Sequence, residues 1–324
     1  MSHMIVAKTP LRIPLAGGLT DIKEYAATYG GITISTTIDK YVYVALKENL
    51  DGYFELQYQN VREKVSDARQ IRNDLIREAI FLTGLQDTPL NLSVMVDLAG
   101  ESGLGTSGAV TVSLLHAMRR LKGETPSKDA IYQEAAHVEV DILQGASGYH
   151  DPTICALGGL KAIEYHGSDI APRDIAISHE MHRQFADSLL FFYSGRHAKS
   201  KPSLDLLSSH IREAFDLLHD IKAIGVELEE AFKASNMTRV AEIIAEQQHL
   251  KQQLPGRFLD DYVQDITRRV HEVGAYAQLP GGKISAFVIV CCPDRQHDAV
   301  RHALADLKEV PFELETTGTL ASVI

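Results

Sequence analysis

The sequence predicts an α+β chain of two units, and three observations carry that reading. Strand-like and helix-like segments alternate through both halves, and a polar stretch at residues 166–174 (HGSDIAPRD) reads as a connection between them. In addition, 45% of the 324 residues are hydrophobic, enough to bury the cores of two domains. Residues 4–15 read as a strand, a Gly17-Gly18 turn follows, and 31–48 (GITISTTIDKYVYVALKE) is rich in the β-branched and aromatic residues of strands. A helix is predicted from about 71 to 83 and a strand over 92–96. A glycine-rich loop then feeds a helix, and a second helix runs from about 127 to 143 with Ser127 as its N-cap. A strand at 159–164 closes this half. The second half restarts with the strand DSLLFFYSG at 187–195 and continues with helical patterns across roughly 203–275. The strand KISAFVIVCC, a helix over 294–308 and terminal strands complete it. The expected domains are residues 4–184 and 185–324, with a ligand in the cleft between them.

Composition narrows the function. A formal net charge of −11 argues against a polyanionic partner such as nucleic acid, so any phosphate contact has to be local. No segment approaches 18 apolar residues and no signal-peptide pattern is present, which points to no membrane partner. The three cysteines (Cys155, Cys291, Cys292) have no paired spacing, and the 14 histidines have no ligand spacing; a reducing cytoplasm is expected. Residues 1–3 read as a cloning remnant ahead of Met4. A homodimer is compatible with the chain.

The stretch 97–118 (DLAGESGLGTSGAVTVSLLHAM) runs a loop containing Gly103, Gly105 and Gly108 into a helix that opens with Thr106 and Ser107. Glycines let backbone N–H groups turn toward a ligand, and the unpaired N–H groups of a helix start favour an anion. The same pattern also suits an ordinary turn capping a core helix. It is not a Walker A loop, because no Gly-Lys-Ser/Thr run occurs.

Residues 137–159 (HVEVDILQGASGYHDPTICALGG) place two acids around a turn. Glu139 with Ser107 would make a hard oxygen site for magnesium, and Asp151 could accept a hydroxyl proton. Equally, Glu139 could lie on a solvated helix face, and Asp151 could sit in a turn before Pro152. Arg12 lies inside an apolar strand, where a guanidinium needs a partner, and Asp151 is a candidate. Thr20 and Asp21, after the Gly17-Gly18 turn, suit either polyol hydroxyls or helix capping.

Together TPLRIPLAGGLTD, ISTTIDKYVYV, LIREA, SGLGTSGA and the ALGG after Asp151 resemble the GHMP kinases, in particular their sugar 1-kinase branch. The resemblance implies an N-terminal domain of the ribosomal protein S5 domain 2-like fold and a ferredoxin-like C-terminal domain. It implies ATP and Mg2+, with Gly103, Leu104, Gly105, Thr106, Ser107 and Gly108 as the phosphate loop and Ser107 and Glu139 on the metal. Asp151 and Arg12 match the catalytic positions, and Gly17, Gly18, Thr20 and Asp21 match the sugar site. The implied reaction is phosphorylation of the anomeric C1 hydroxyl of D-glycero-D-manno-heptose 7-phosphate to the 1,7-bisphosphate, feeding GDP-heptose for capsular or surface polysaccharide. That acceptor needs a second anion site, for which Arg196 in the basic run SGRHAKSK (with His197, Lys199 and Lys201) is the candidate. Three departures stand out: GYHDP replaces the branch's usual GKQDQ, Thr106 and Gly108 stand where serine is usual, and GGKISAF lacks the customary GAGGGGF run. A kinase for a free hexose (fucose, galactose or mannose) is the near alternative. A non-catalytic nucleotide or sugar sensor, suggested by the short glycine loop, is the alternative of another class.

Overall fold

A computed structural model gives the architecture and describes residues 3–98, 102–145, 148–196, 201–256, 258–281 and 284–324. The chain starts with β1 (Ile5–Ala16), α1 (Lys23–Tyr29) and the long strand β2 (Gly31–Glu48), followed by the hairpin β3 (Phe54–Tyr58) and β4 (Val61–Val65). Then come α2 (Asp74–Thr83), β5 (Leu90–Val96), α3 (Thr106–Leu121), α4 (Lys128–Ala136), α5 (His150–Leu157), β6 (Lys161–His166) and β7 (Asp169–Asp174). Helix α6 (His179–Ser188), β8 (Leu189–Tyr193), α7 (Lys201–Ser209), α8 (Phe215–Lys233), α9 (Met237–Gln253) and α10 (Asp261–Glu272) form the middle of the second half. It ends with β9 (Tyr276–Gln278), β10 (Phe287–Cys291), α11 (His297–Ala303), β11 (Lys308–Glu309), β12 (Leu314–Glu315) and β13 (Leu320–Val323).

Two sheets result. The larger runs in the order β13, β1, β2, β5, β3, β4; β6 and β12 pair with β2, and β7 pairs with β6. Strand β2 organises it, because Gly31–Ser35 pair with β6 while Val42–Glu48 pair with β5. Register shifts fall after Pro10 and after Pro14 in β1, next to residues that cannot donate to a ladder. The smaller antiparallel sheet has the order β11, β8, β10, β9. Ile76, Leu115 and Met118 of α2 and α3 bury against Val44 and Leu92 of the larger sheet. A second core joins Ile32 and Ile34 to Leu228 and Phe232 of α8, Ile244 of α9, and Phe191 and Phe287 of the smaller sheet. The two sheets therefore share apolar packing.

Several elements differ from the sequence reading. The polar stretch 166–174 is largely a strand, β7, paired to β6. Helix α1, the β3–β4 hairpin and α5 are short elements whose periodicity is too brief to register. The helix over 127–143 is α4 followed by a π-helical turn at His137–Ile142. Ser127 is the N-cap as expected, its hydroxyl accepting from Ala130 N at 3.1 Å. The expected boundary between 184 and 185 falls inside α6, and β12 and β13 return to the larger sheet, so the first unit takes back the chain's last strands.

Candidate active site

The loop before α3 is held by contacts that demand glycine. Gly105 has a φ of 75°, and a Cβ there would lie 2.9 Å from Arg12 Cγ. As the N-cap of α3, Gly105 offers no side-chain cap, so the first-turn N–H groups keep their capacity for a ligand. Thr106 Oγ1 is 3.1 Å from Ser102 Oγ. Arg12 N donates to Leu104 O at 3.0 Å, tying β1 to the loop.

Across from this loop, Arg12 donates Nε and Nη2 to Asp151 Oδ1 at 2.9 and 2.7 Å, and Nη1 to Gly103 O at 2.5 Å. His150 Nδ1 lies 3.1 Å from the same Oδ1. Among the described residues Oδ2 of Asp151 has no hydrogen-bond partner. Burial disfavours the Asp151 carboxylate, but the Arg12 guanidinium and then His150 outweigh it and hold the acid well below its usual range. Asp21 Oδ2 accepts from His150 N at 3.1 Å, while burial, opposed by His150, raises its pKa. Both acids line a cavity of about 1020 Å³ that extends past Gly103, Gly105, Thr106 and Ser107 to Tyr58, Asn60, Asn73 and Met95.

Residues 71–159, which include the loop, α3 and Asp151, match the GHMP kinases N terminal domain. Over those residues the chain carries a GHMP kinase N-terminal domain. A D-glycero-alpha-D-manno-heptose 7-phosphate kinase from Campylobacter jejuni is 22% identical over 291 residues, which is 86% of each chain. Mevalonate kinase from Pyrococcus abyssi is 29% identical over 182 residues, 49% of this chain and 51% of that protein; the chain spans about half the length of that relative. Among solved structures, a D-glycero-D-manno-heptose 1-phosphate kinase from Bacteriodes thetaiotaomicron shares the fold with a TM-score of 0.81, 20% identity and coverage of 99% of both chains.

Within this domain Glu139 sits in the π-helical turn, 6% exposed, with Oε1 lacking a hydrogen-bond partner among the described residues. Such turns recur at functional sites. Burial, reinforced by Asp151 and opposed by the Thr111 and Ser107 hydroxyls, pushes its pKa up to about 7. An orphaned carboxylate oxygen beside the Ser107 hydroxyl fits a magnesium ion, which takes one or two protein oxygens and completes its shell with phosphate and water. No group of three or more His, Cys, Asp or Glu side chains forms a metal cage among the described residues, so phosphates would have to supply the remaining ligands. Binding of Mg2+ with AMPPNP is therefore expected to tighten as pH rises from 6 to 8, because Glu139 must lose its proton first. Calorimetry on Glu139→Gln should show weaker binding, by about tenfold, with that pH dependence largely gone.

Not every expected site residue meets the cavity. Thr20 is fully buried, its one O–H is shared between Gly17 O and Ile32 O, and its oxygen accepts from Ile32 N, so it is a structural clamp rather than a sugar contact. Gly17 packs against Ile32, whereas Gly18 does line the cavity. The Leu104 side chain belongs to the core. Gly108 serves α3–α5 packing: a Cβ there would lie 2.7 Å from the Asp151 carbonyl carbon. Arg196 is outside the cavity lining, paired with Asp260 at 3.2 Å and stacked 4.1 Å over the Tyr262 ring. His197 and Lys199 of its basic run, and Lys283 of the short glycine loop, lie outside the described residues.

The described part of that short loop still reaches the site. Ser285 Oγ donates to Ser102 O at 2.5 Å, and a Cβ on Gly281 would lie 2.8 Å from Gly103 O. Sequence reasoning missed Gln247, Lys251 and Gln278, which line the cavity. Among the described residues the buried amide oxygens Gln247 Oε1 and Gln278 Oε1 have no hydrogen-bond partner. Isolated polar residues on a helix or strand carry no sequence signal that separates them from surface positions.

Proposed function

We propose that this chain is an ATP- and Mg2+-dependent sugar kinase that phosphorylates the anomeric C1 hydroxyl of D-glycero-D-manno-heptose 7-phosphate, giving the 1,7-bisphosphate for GDP-heptose and surface polysaccharide synthesis in the cytoplasm. The observation that carries the reading is the Arg12–Asp151 pair set against the N-terminus of α3 in one cavity. Similarity to the Campylobacter heptose 7-phosphate kinase over 86% of both chains supports the acceptor.

In this reading the nucleoside occupies the end near Tyr58, Asn60 and Met95, and the phosphates meet the N–H groups of α3. Ser107 and Glu139 would hold magnesium, whose charge offsets that of the phosphates. Asp21, His150 and the free Gln247 and Gln278 oxygens face the acceptor's hydroxyls. Asp151, kept ionised, accepts the hydrogen bond of the reacting hydroxyl through Oδ2 and takes its proton as the oxygen bonds to the γ-phosphorus. The bond from that phosphorus to the β–γ bridging oxygen breaks, and ADP leaves with the electron pair.

A free hexose is the second reading, favoured by one observation: Arg196, the expected partner of a 7-phosphate, is engaged by Asp260 away from the cavity. Comparing kcat/KM for heptose 7-phosphate, fucose, galactose and mannose decides between them. At least a hundredfold preference for the sugar phosphate is expected, corresponding to about 3 kcal/mol. Equal or higher turnover of a free hexose would reverse the assignment, and ATP binding with no product from any of the sugars would indicate a sensor.

A further inference from the structure

We infer that Lys251 is a further catalytic cation, its ammonium contacting the phosphoryl group as it passes from nucleotide to acceptor; this rests on the kinase reading above. Lys251 lies near the end of α9, is 3% exposed, and lines the cavity. Among the described residues no carboxylate pairs with it. Its Nζ donates to Leu279 O and to Gly281 O, the latter at 3.3 Å, leaving one of three N–H donors for a ligand.

Its location selects the ligand. Gly281 packs on Gly103 of the phosphate loop, so the ammonium sits one backbone contact from the place where phosphates are bound. Arg12 and Lys251 are the only arginine and lysine among the described residues lining the cavity. The Arg12 charge is already matched by Asp151, and its Nη1 is given to Gly103 O. A transferring phosphoryl group spreads negative charge over three oxygens, which leaves Lys251 as the uncompensated positive charge to meet it. Burial, and then the Arg12 guanidinium, push the Lys251 pKa down to about 7, as befits a cation awaiting its counter-ion. The charged and titratable groups around this end of the cavity are Arg12 from β1, His150 and Asp151 from α5, and Asp21. In the step itself the acceptor oxygen gains the phosphorus, ADP takes the bridging-oxygen electron pair and Asp151 takes the proton. Lys251 supplies only charge to the non-bridging oxygens.

The test is calorimetry of AMPPNP and of ADP, each with Mg2+, on the full chain and on Lys251→Met, with thermal unfolding alongside. AMPPNP affinity is expected to fall about tenfold while ADP affinity and Tm are preserved, with kcat reduced about a hundredfold. Equal losses for AMPPNP and ADP, or no change in either, would overturn the assignment and leave Lys251 as a brace for the Gly281 loop. Should Lys251→Met fail to fold, Lys251→Gln keeps a donor for the carbonyls without the charge and should show the same selective loss. Absence of any sugar turnover by the unaltered protein would defeat the kinase reading, while the AMPPNP against ADP comparison would still decide the role of Lys251.

Discussion

Asp151→Asn is expected to lower kcat by about 10²–10⁴-fold while AMPPNP binding stays within a few-fold of the unaltered protein. The amide preserves shape and keeps an oxygen for Arg12, so nucleotide binding at the α3 loop has no reason to collapse. What disappears is the negative charge at the atom meant to receive the hydroxyl proton. The comparison to make is single-turnover chemistry against analogue affinity; undiminished turnover would remove Asp151 from the reaction.

Arg12→Met should be the more damaging change for the fold. It strips Asp151, whose side chain is 18% exposed, of the guanidinium held at 2.7 Å, and removing one partner of such a largely buried pair costs about 3 kcal/mol. It also cuts the tie to Gly103 O, so the loop before α3 loses an anchor and catalysis should fall with stability. In the unaltered protein Asp151 sits below its ordinary value of 3.8, so its contribution is full above that pH and is lost as the acid titrates below it. Without Arg12, burial becomes the leading influence and raises the pKa, so the folded state gains proton affinity. The deficit of Arg12→Met should therefore be largest near pH 7 and shrink toward pH 4. Urea unfolding of both proteins at the two pH values measures this directly, and a deficit independent of pH would contradict the pairing.

Much of this site was legible because its features have local or energetic signatures. A guanidinium inside the apolar strand β1 needed a partner, and Asp151 provides it. The glycine loop announced a helix start with donors to spare, and Ser127 announced its helix. Other features are tertiary. Thr20 looked like a polyol ligand, yet the return of β2 past it buries its hydroxyl and bonds it to the Ile32 backbone. Arg196 looked like a phosphate ligand, yet Asp260 and Tyr262, more than sixty residues along the chain, claim it. Gly108 read as part of the phosphate loop, but it is there so that α5 can approach α3 and bring Asp151 to the cavity. Lys251 sits in a helix rich in charged and amide side chains, and only the packing of α9 against the loop after β9 shows that its ammonium is buried.

This cavity is expected to transfer a phosphoryl group to a sugar hydroxyl. Phosphorus NMR of the protein with ATP, Mg2+ and D-glycero-D-manno-heptose 7-phosphate tests it most directly. A new sugar-bound phosphorus signal coupled to the anomeric proton, appearing in equal amount with ADP, is the expected result. ATP that binds but yields no sugar-bound phosphate, with the heptose or with fucose, galactose or mannose in its place, would contradict it.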